Sequence, residues 1–324
     1  RKVNSVKIIK GRGNSSIYKI AMQSGEVFAG KLYPDPTVDD RDRLVKETSA
    51  YKFLHSNQIN TVPRNIWSET DLNFGLFEWI KGKEILDVTD NHINLAADFV
   101  ISLAELSENT RHDKFVQASA ACFSGEMIDK QIRERYKIVY EYSNSNFHLV
   151  DFLDKDFSTS YKKILSKSKK NWPGDFSTEL PNKFQILSPS DFGAHNTLLT
   201  KNGLIFMDFE YFGWDDPVKL TCDFLLHPGM ILTNGQKVLW LERMKDLFSV
   251  DMNFQKRFEA SYCLYGLCWC LIILNVFVTD SKRKNVVSED ENISKRKKQI
   301  KRLNRSRDLL KHINKVNNHG LMYE

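Results

Sequence analysis

The sequence has few of the features that mark disulfide-stapled, zinc-binding or disordered proteins. Only five of its 324 residues are cysteines, and three of these five lie in one apolar run. An odd, clustered set of this kind is a poor basis for a disulfide framework or a zinc site, and it favours a reducing compartment. Apolar residues make up 41% of the chain and charged residues 27%. This composition excludes collagen-like and low-complexity chains and predicts a packed globular protein.

Repeats are also lacking, and long uncharged runs are rare. The absence of a repeat period excludes solenoid and propeller folds. Residues 260–278 form a 19-residue uncharged stretch, close to the length that spans a bilayer. Ser261, Gly266 and Asn275 interrupt it, so we expect a buried core helix and no transmembrane segment. The printed sequence shows no charged-then-apolar leader with a small-residue cleavage site, and we therefore expect a cytoplasmic protein.

Positive charge is concentrated near the C-terminus. The net charge is +6, but residues 281–315 contain 13 Lys and Arg against 4 Asp and Glu, a local charge of +9. Such a segment is typical of an adaptor that docks on nucleic acid or on an anionic membrane, and also of an ordinary solvated helix face. Residues 281–317 contain no aromatic side chain to stack on bases, so no nucleic-acid partner is expected.

The N-terminal part is rich in short segments of β-branched and aromatic residues, which predict a small antiparallel sheet. A helical pattern interrupts these segments at residues 39–57, and a mostly helical pattern runs from residue 87 to 187. A second strand-and-loop patch covers residues 184–209, and residues 281–317 predict one or two amphipathic helices. The predicted strands of the first patch are 3–9, 17–22, 26–33, 61–67 and 74–80.

The strongest chemical signal lies in residues 188–210. Asp191 and Asn196 are five residues apart in a loop, and Asp208 follows an apolar run twelve residues beyond Asn196. Phosphoryl transfer from ATP uses such a trio. One carboxylate orients and deprotonates the attacking hydroxyl, an amide oxygen binds Mg²⁺, and a second carboxylate bridges Mg²⁺ to the phosphates. The alternative is that these residues only bond their own backbone in turns and at a strand end.

Two upstream features fit a nucleotide site. Residues 11–17 form a turn between two predicted strands, and small side chains there let backbone N–H groups approach phosphates. Lys31 lies in the next strand and Glu47 in the following helix, a pairing that fixes the α- and β-phosphates in kinases. The alternatives are a simple hairpin turn and an exposed lysine at a sheet edge. The candidate residues of the turn are Gly11, Gly13, Asn14 and Ser15.

A third feature is the segment Glu78, Trp79 and Ile80, where a predicted strand runs into a polar turn. Backbone groups at such a crossing can meet the edge of an adenine. The alternative is an edge strand that continues into a linker.

In chain order these features resemble the aminoglycoside phosphotransferase and choline kinase-like superfamily, over residues 3–227. The resemblance implies an α+β, protein-kinase-like bilobal fold with a small β-rich N-lobe and a larger, mostly helical C-lobe. It implies ATP and Mg²⁺ as cofactors and a small-molecule hydroxyl acceptor such as a sugar, an amino alcohol or an aminoglycoside. The corresponding division is an N-lobe at 1–80, a C-lobe at 81–280 and a basic helical segment at 281–324.

The resemblance also implies roles residue by residue. Lys31 matches the phosphate-contacting lysine and Glu47 its helix partner, while Glu78, Trp79 and Ile80 match the adenine hinge. Asp191 matches the catalytic aspartate, and Asn196 and Asp208 match the magnesium ligands. Beside Asp191, the acceptor pocket is expected to draw on aromatic and acidic side chains that suit a cation or a sugar, although Trp214 equally suits a core position. These candidates are Tyr211, Trp214, Asp215 and Asp216.

Two departures from the family pattern concern the catalytic loop and the helix after it. Pro189 and Ser190 stand where the family usually has His-Gly or His-Asn, and Leu220 stands where an aspartate commonly follows Asp-Pro, with Asp223 only later. The alternative function is therefore a catalytically silent nucleotide-binding pseudokinase or scaffold. Because the expected ligands and the lysine–glutamate pair are all present, an active enzyme is the favoured interpretation.

Overall fold

The computed structural model describes residues 2–9, 15–35, 37, 39, 41–143, 146–282 and 289–321. Gly11, Gly13 and Asn14 of the predicted phosphate turn lie outside these residues, and Ser15 lies within them. The chain divides into two compact units. The first unit comprises residues 1–121, 182–220 and 229–232, and the second comprises 122–181, 221–228 and 233–324. The predicted division at residues 80 and 280 stays a prediction.

An antiparallel five-stranded sheet forms the N-terminal part of the first unit. Its strand order is β1-β2-β3-β5-β4, so β3 lies in the middle and carries Lys31 between two neighbours. The expected meander and the strand expected at residues 74–80 are confirmed, whereas the strand expected at residues 61–67 begins four residues later, at Asn65. The strands are β1 (Val3–Ile9), β2 (Ser16–Met22), β3 (Val27–Leu32), β4 (Asn65–Glu69) and β5 (Phe74–Glu78).

The helix α1 (Arg43–Ser56) carries Glu47 toward this sheet. Its buried residues include Leu44, Tyr51 and Leu54, and the Tyr51 ring meets the edge of Phe77 on β5 with ring centroids 5.8 Å apart. The helix begins four residues later than its pattern predicts. Asp39 lies before the helix, where its carboxylate bonds to the guanidinium groups of Arg41 and Arg43.

The remaining elements of the first unit surround the segment 186–217. An aromatic layer underlies this segment, because Phe99 of the helix α2 stacks on Phe192 and Phe206 with centroids 5.7 and 4.5 Å apart. The pairs β6–β8, β8–β9 and β7–β10 are antiparallel. The elements are β6 (Lys83–Glu84), α2 (Asp90–Glu108), β7 (Ile186–Ser188), β8 (Thr197–Thr200), β9 (Gly203–Phe206), β10 (Gly213–Asp215) and the start of α6 (Pro217–Leu226).

The described elements of the second unit are helical. Their centre is α8, which is buried on nearly every side and contacts α3, α5 and α10. The segment Phe254–Thr279 is long and apolar enough to cross a membrane, but 83% of its most apolar window is buried, so the predicted core helix is confirmed. The helices are α3 (Gly125–Glu141), α4 (Phe147–Asp151), α5 (Ser158–Asn171), α7 (Asn234–Leu247), α8 (Phe254–Ile273), α9 (Asn275–Lys282) and α10 (Glu289–His319).

Candidate active site

A buried ion cluster surrounds Lys31 on β3. The Lys31 Nζ atom lies 2.7 Å from Glu47 Oε2, 2.5 Å from Asp208 Oδ1 and 3.1 Å from Glu210 Oε2. Lys31 is only 7% exposed, so its charge is largely removed from water and requires these partners. The sequence predicted the pair with Glu47, and the structure adds two further carboxylates.

Glu47 is itself held by three hydrogen bonds. The hydroxyl of Tyr33 donates to Oε2 at 2.6 Å, the hydroxyl of Tyr51 donates to Oε1 at 2.8 Å, and the backbone N–H of Phe209 donates to Oε1 at 3.3 Å. The backbone N–H of Asp208 in turn donates to the Tyr51 hydroxyl at 2.9 Å. One carboxylate therefore fixes β3, α1 and the Asp208 segment against each other. Burial and the charge of Glu47 raise the pKa values of both tyrosines, which keeps them hydrogen-bond donors.

Glu210 and Arg43 form the second half of the cluster, and sequence reasoning assigned neither a role. Arg43 Nη1 donates to Glu210 Oε1 and Nη2 donates to Asp39 Oδ2. The Ser15 hydroxyl donates to Glu210 Oε2 at 3.3 Å, which ties the end of the predicted phosphate turn to the cluster. The only sequence signal for a role of Glu210 was its position two residues after Asp208. The burial of Glu210 and Arg43 is not visible in the sequence.

The cluster sets the charge states of its members. Burial lowers the pKa of Lys31, but Glu47, Asp208 and Glu210 outweigh it and raise the pKa well above its ordinary value. Burial raises the pKa of Asp208 to about 6, supported by Glu47 and Glu210 and opposed by Lys31. Burial also acts on Glu210, but Lys31 and Arg43 lower its pKa. Lys31 thus stays a cation, and Asp208 takes a proton more readily than Glu210 does.

The loop with Asp191 and Asn196 lies in the same unit. Asn196 Nδ2 donates to the backbone carbonyl of Asp191 at 2.9 Å. The N–H of Met207 donates to the carbonyl of Asn196 at 2.9 Å, and this pairs Asn196 with the residue before Asp208. The structure therefore places Asn196 next to the residue that precedes Asp208, where the chain leaves the β8–β9 hairpin. His195, to which sequence reasoning assigned no role, contacts Asp191, with 2.9 Å between its Nε2 atom and Asp191 Oδ1.

The unusual Pro189-Ser190 pair is accommodated by side-chain hydrogen bonds. Ser190 has a φ of 66°, in the left-handed region that few non-glycine residues adopt. Its N–H donates to the Ser188 hydroxyl at 3.0 Å, and its own hydroxyl donates to the Ser119 carbonyl at 3.1 Å. These two bonds hold the residue before Asp191 without the histidine of the family pattern.

The oxygen atoms at the cluster suit a hard cation. One carboxylate oxygen from each of Glu47, Asp208 and Glu210 lies within 4.8 Å of the others. Magnesium takes oxygen ligands in this way. Asp208 is the most accessible of the three, with 39% of its side chain exposed against 4% for Glu47 and 7% for Glu210. Its φ of 69° is a conformation that aspartate adopts more readily than most residues.

The predicted hinge lies at the end of β5. The N–H of Glu78 donates to the carbonyl of Arg64 at 2.9 Å, and Glu78 pairs with Phe28 of β3. The ring of Trp79 lies under the ammonium of Lys19, 4.7 Å from its centroid. Ile80 is half-buried. This segment leads directly into β6.

Most of the predicted acceptor residues are internal. The indole of Trp214 stacks on His112 at 3.8 Å, and its N–H donates to the His112 carbonyl. Asp215 pairs with Lys219 at 3.2 Å, and Asp216 Oδ1 accepts the N–H of Val218 at 2.8 Å, so both support the start of α6. These three side chains are at most 3% exposed. For Trp214, a core position was the alternative that the sequence left open. Asp215 and Asp216 are core residues as well.

Tyr211 is half-buried beside the cluster. The guanidinium groups of Arg41 and Arg43 lie 5.2 and 5.1 Å from its ring centroid. Burial and Glu210 raise the pKa of Tyr211 to about 12. Of the four predicted acceptor residues, it is the one whose side chain is not fully buried.

No model of a protein family matches the chain, and no curated protein matches it by sequence. Solved structures do match it. The choline kinase LicA from Streptococcus pneumoniae matches with a TM-score of 0.60 and 13% identity, over 96% of this chain and 94% of that one. The fold is that of the choline kinase and aminoglycoside phosphotransferase structures. The protein-kinase-like fold expected from the sequence is therefore confirmed.

Two other structures were solved with ligands. The spectinomycin phosphotransferase APH(9)-Ia in complex with ADP and spectinomycin matches with a TM-score of 0.59 and 11% identity, over 96% of this chain and 94% of that chain. The amicoumacin kinase hAmiN in complex with AMP-PNP and Ca²⁺ matches with a TM-score of 0.57 and 9% identity, over 93% and 88%. At such identities the likeness concerns the fold.

Proposed function

We propose that this protein is an ATP- and Mg²⁺-dependent kinase that phosphorylates a hydroxyl group of a small molecule in the cytoplasm. The observation that carries the proposal is the buried Lys31, held by Glu47 and in contact with Asp208, on a fold shared with small-molecule kinases. A lysine fixed in this way is the part of a kinase that orients the α- and β-phosphates. The cytoplasmic location is supported by the five cysteines, all of them described, none of which forms a disulfide.

Each residue of the site then has one task. Lys31 binds the phosphates while Glu47 and its two tyrosines keep the ammonium in position. Backbone groups of Glu78, Trp79 and Ile80 meet the adenine. Asp191 orients the acceptor hydroxyl and accepts its proton, and His195 holds one carboxylate oxygen of Asp191 so that the other faces the acceptor.

Asn196 and Asp208 would hold Mg²⁺, with Glu210 close by. Magnesium supplies charge neutralisation for the phosphates when it is bound. The support for this pair is the backbone bond from Met207, the residue before Asp208, to the carbonyl of Asn196. Arg43 fixes Glu210 and so keeps the acidic cluster in one arrangement.

The acceptor class rests on the fold shared with small-molecule kinases, because three of the four predicted acceptor residues are internal. Tyr211 is the candidate contact, because its ring is the accessible one among the predicted acceptor residues. Trp214, Asp215 and Asp216 act behind it by holding the start of α6. We therefore expect a sugar, an amino alcohol or an aminoglycoside-like molecule as the acceptor.

The experiment is ADP release from MgATP across amino alcohols, aminoglycosides, monosaccharides and nucleosides, run beside Asp191→Asn. The variant should lose turnover by a factor on the order of 10² to 10⁴ and keep nearly the same nucleotide affinity, because a general base acts in the transition state. Acceptor-dependent release by the wild type that persists unchanged in the variant would remove Asp191 from the mechanism.

A second candidate function is a nucleotide-binding scaffold without transfer activity. The observation in its favour is Ser190, whose positive φ stands directly before Asp191 in place of the usual family residues. This candidate predicts that MgATP raises the melting temperature while no acceptor stimulates ADP release. If MgATP does not raise the melting temperature at all, both candidates fail.

A further inference from the structure

The helix α10 carries a high density of positive charge that has no role in the proposed active site. The helix begins with three acids, Glu289, Asp290 and Glu291, and its residues 293–319 then contain ten Lys and Arg and a single acid, Asp308. The helix is 31 residues long, which corresponds to about 46 Å. The segment 293–319 is therefore an electrostatic surface of mainly positive sign.

One side of α10 is committed to packing. Leu303, Leu310 and Ile313 are buried, and a Cβ atom on Gly266 of α8 would lie 2.4 Å from Ile313 Cγ2, so the two helices are in close contact. The hydroxyl of Ser306 also donates to the carbonyl of Cys270 at 3.0 Å. This packing fixes which side of α10 faces outward.

The outward side combines lysines with isoleucines. Ile293 and Ile300 are 48% and 60% exposed, and they lie seven residues apart on one face. Lys297, Lys301 and Lys311 are exposed on the same side, opposite the buried row. A helix that shows both apolar and cationic side chains to its surroundings has the pattern of an interfacial helix.

Neighbouring cations on this side of the helix repel each other. Lys297 and Lys301, and Lys301 and Arg305, are like-charged i,i+4 pairs, which destabilise a helix. Asp308 lies 3.9 Å from Lys311 and is the only acid in the segment 293–319. Burial and the neighbouring charge of Arg302 lower the pKa of Arg305. An external anionic partner would turn this repulsion into attraction.

The basic surface continues onto α5. This helix contains five lysines and no acid. Lys163 Nζ donates to Asn318 Oδ1 at 2.8 Å, and Asn314 Nδ2 donates to the Ser160 hydroxyl at 2.9 Å, so α5 lies directly beside the C-terminal end of α10. The two helices together form one basic face, which we call the α5–α10 face.

We infer that the α5–α10 face docks the protein on an anionic lipid bilayer, with the Lys and Arg side chains at the headgroups and Ile293 and Ile300 in the interfacial layer. Charge complementarity selects an anionic partner. The exposed isoleucines select a bilayer over a nucleic acid, because a phosphate backbone offers them no apolar contact. The described residues of α10 also lack an aromatic side chain to stack on bases.

The test is co-sedimentation of the full chain with vesicles of phosphatidylcholine and phosphatidylglycerol in equal parts, compared with phosphatidylcholine alone. We expect binding to the anionic vesicles only, and its loss at high salt. Lys297→Glu/Lys301→Glu should weaken binding on the order of thirtyfold. Ile300→Ser should weaken it about fivefold. The matched control Lys52→Glu/Lys137→Glu changes the net charge equally on other exposed helix positions and should bind as the wild type does.

Three results would overturn the inference. The first is that the wild type fails to sediment with anionic vesicles. The second is that the control loses as much binding as Lys297→Glu/Lys301→Glu does. The third is that Ile300→Ser has no effect on vesicle binding while a labelled DNA duplex binds as tightly as the vesicles. The last result would identify a nucleic-acid surface instead. Thermal melting of each variant separates lost binding from lost folding, and the readout does not depend on kinase activity.

Discussion

The Lys31 cluster and the outward side of α10 show two opposite ways of carrying charge. Around Lys31, two cations and three carboxylates lie within hydrogen-bonding distance of one another and are mostly buried. On α10, residues 293–319 contain ten cations and one acid, and seven of these cations are exposed. Buried charge requires partners in the same chain, because desolvation is costly, whereas exposed charge is tolerated through water and salt. The first region is therefore sensitive to single residues, and the second is sensitive to its surroundings.

Among the changes considered, removing the central cation Lys31 should have the largest effect on the free energy of unfolding. Lys31→Met leaves Glu47 buried without its cation and leaves Glu210 with Arg43 alone, and we expect the free energy of unfolding to fall by about 3 kcal/mol. Urea denaturation measures this. The control is Lys7→Met, an exposed lysine on β1, which should change stability by less than about 0.5 kcal/mol. Equal effects of the two variants would mean that the cluster is no more sensitive than the surface.

Packing, and not charge, should hold α10 in place. Gly266→Ala puts a Cβ atom against Ile313, and we expect a loss of about 2 kcal/mol, since overpacking forces side chains to shift. Ile313→Ala in the same chain should remove the clash. The double-mutant cycle should therefore show favourable coupling, and strict additivity of the two changes would contradict the contact.

Nucleotide binding should depend on pH through Asp208. Its pKa of about 6 lies above the ordinary value, so the proton must leave before the carboxylate can hold a cation. The affinity for MgATP should rise by up to about tenfold as the pH increases from 5 to 7. In Asp208→Asn only the titration of the nucleotide itself should remain, and an unchanged pH profile in that variant would exclude Asp208 as the titrating group.

The raised pKa of Asp208 also determines how the stability of the protein changes with pH. A carboxyl whose pKa is raised on folding binds more protons in the folded state between about pH 4 and 6. Asp208 therefore lowers the free energy of unfolding of the nucleotide-free protein as the pH rises through this window. Asp208→Asn should remove that component of the pH dependence.

The smallest effect is expected on α10. Lys301→Glu replaces repulsion from Lys297 and Arg305 by attraction, and we expect a gain of about 0.5 kcal/mol at low salt. Thermal melting at low and at 1 M NaCl measures it, because salt should abolish the gain. A gain that persists at high salt would indicate a packing effect and not an electrostatic one.

Local patterns were enough to predict most of the first unit. The strand Val3–Ile9 has the predicted bounds, and the lysine–glutamate pair is present as expected. Short strands with turn signals and a spacing of sixteen residues between a strand lysine and a helix glutamate are readable because they depend on nearby residues. The roles of Asp191, Asn196 and Asp208 in the reaction stay predictions.

Other features depend on residues far apart in the chain. Arg43 and Glu210 are separated by 167 residues, and Tyr33 and Tyr51 reach Glu47 only because α1 packs on the sheet. The sequence also did not decide whether Trp214 lines an acceptor pocket or packs in the core. Its stacking on His112, 102 residues away, depends on the packing of a loop that no local pattern specifies.

The sequence by itself determined the order of strands and helices, the chemical types of the candidate nucleotide residues and the concentration of positive charge near the C-terminus. These follow from periodicity, turn residues and composition, which are properties of neighbouring positions. Only the tertiary structure decided which charges are buried together and which side of α10 faces outward. Both depend on desolvation and close packing between distant segments, and burial arises only when the chain has folded.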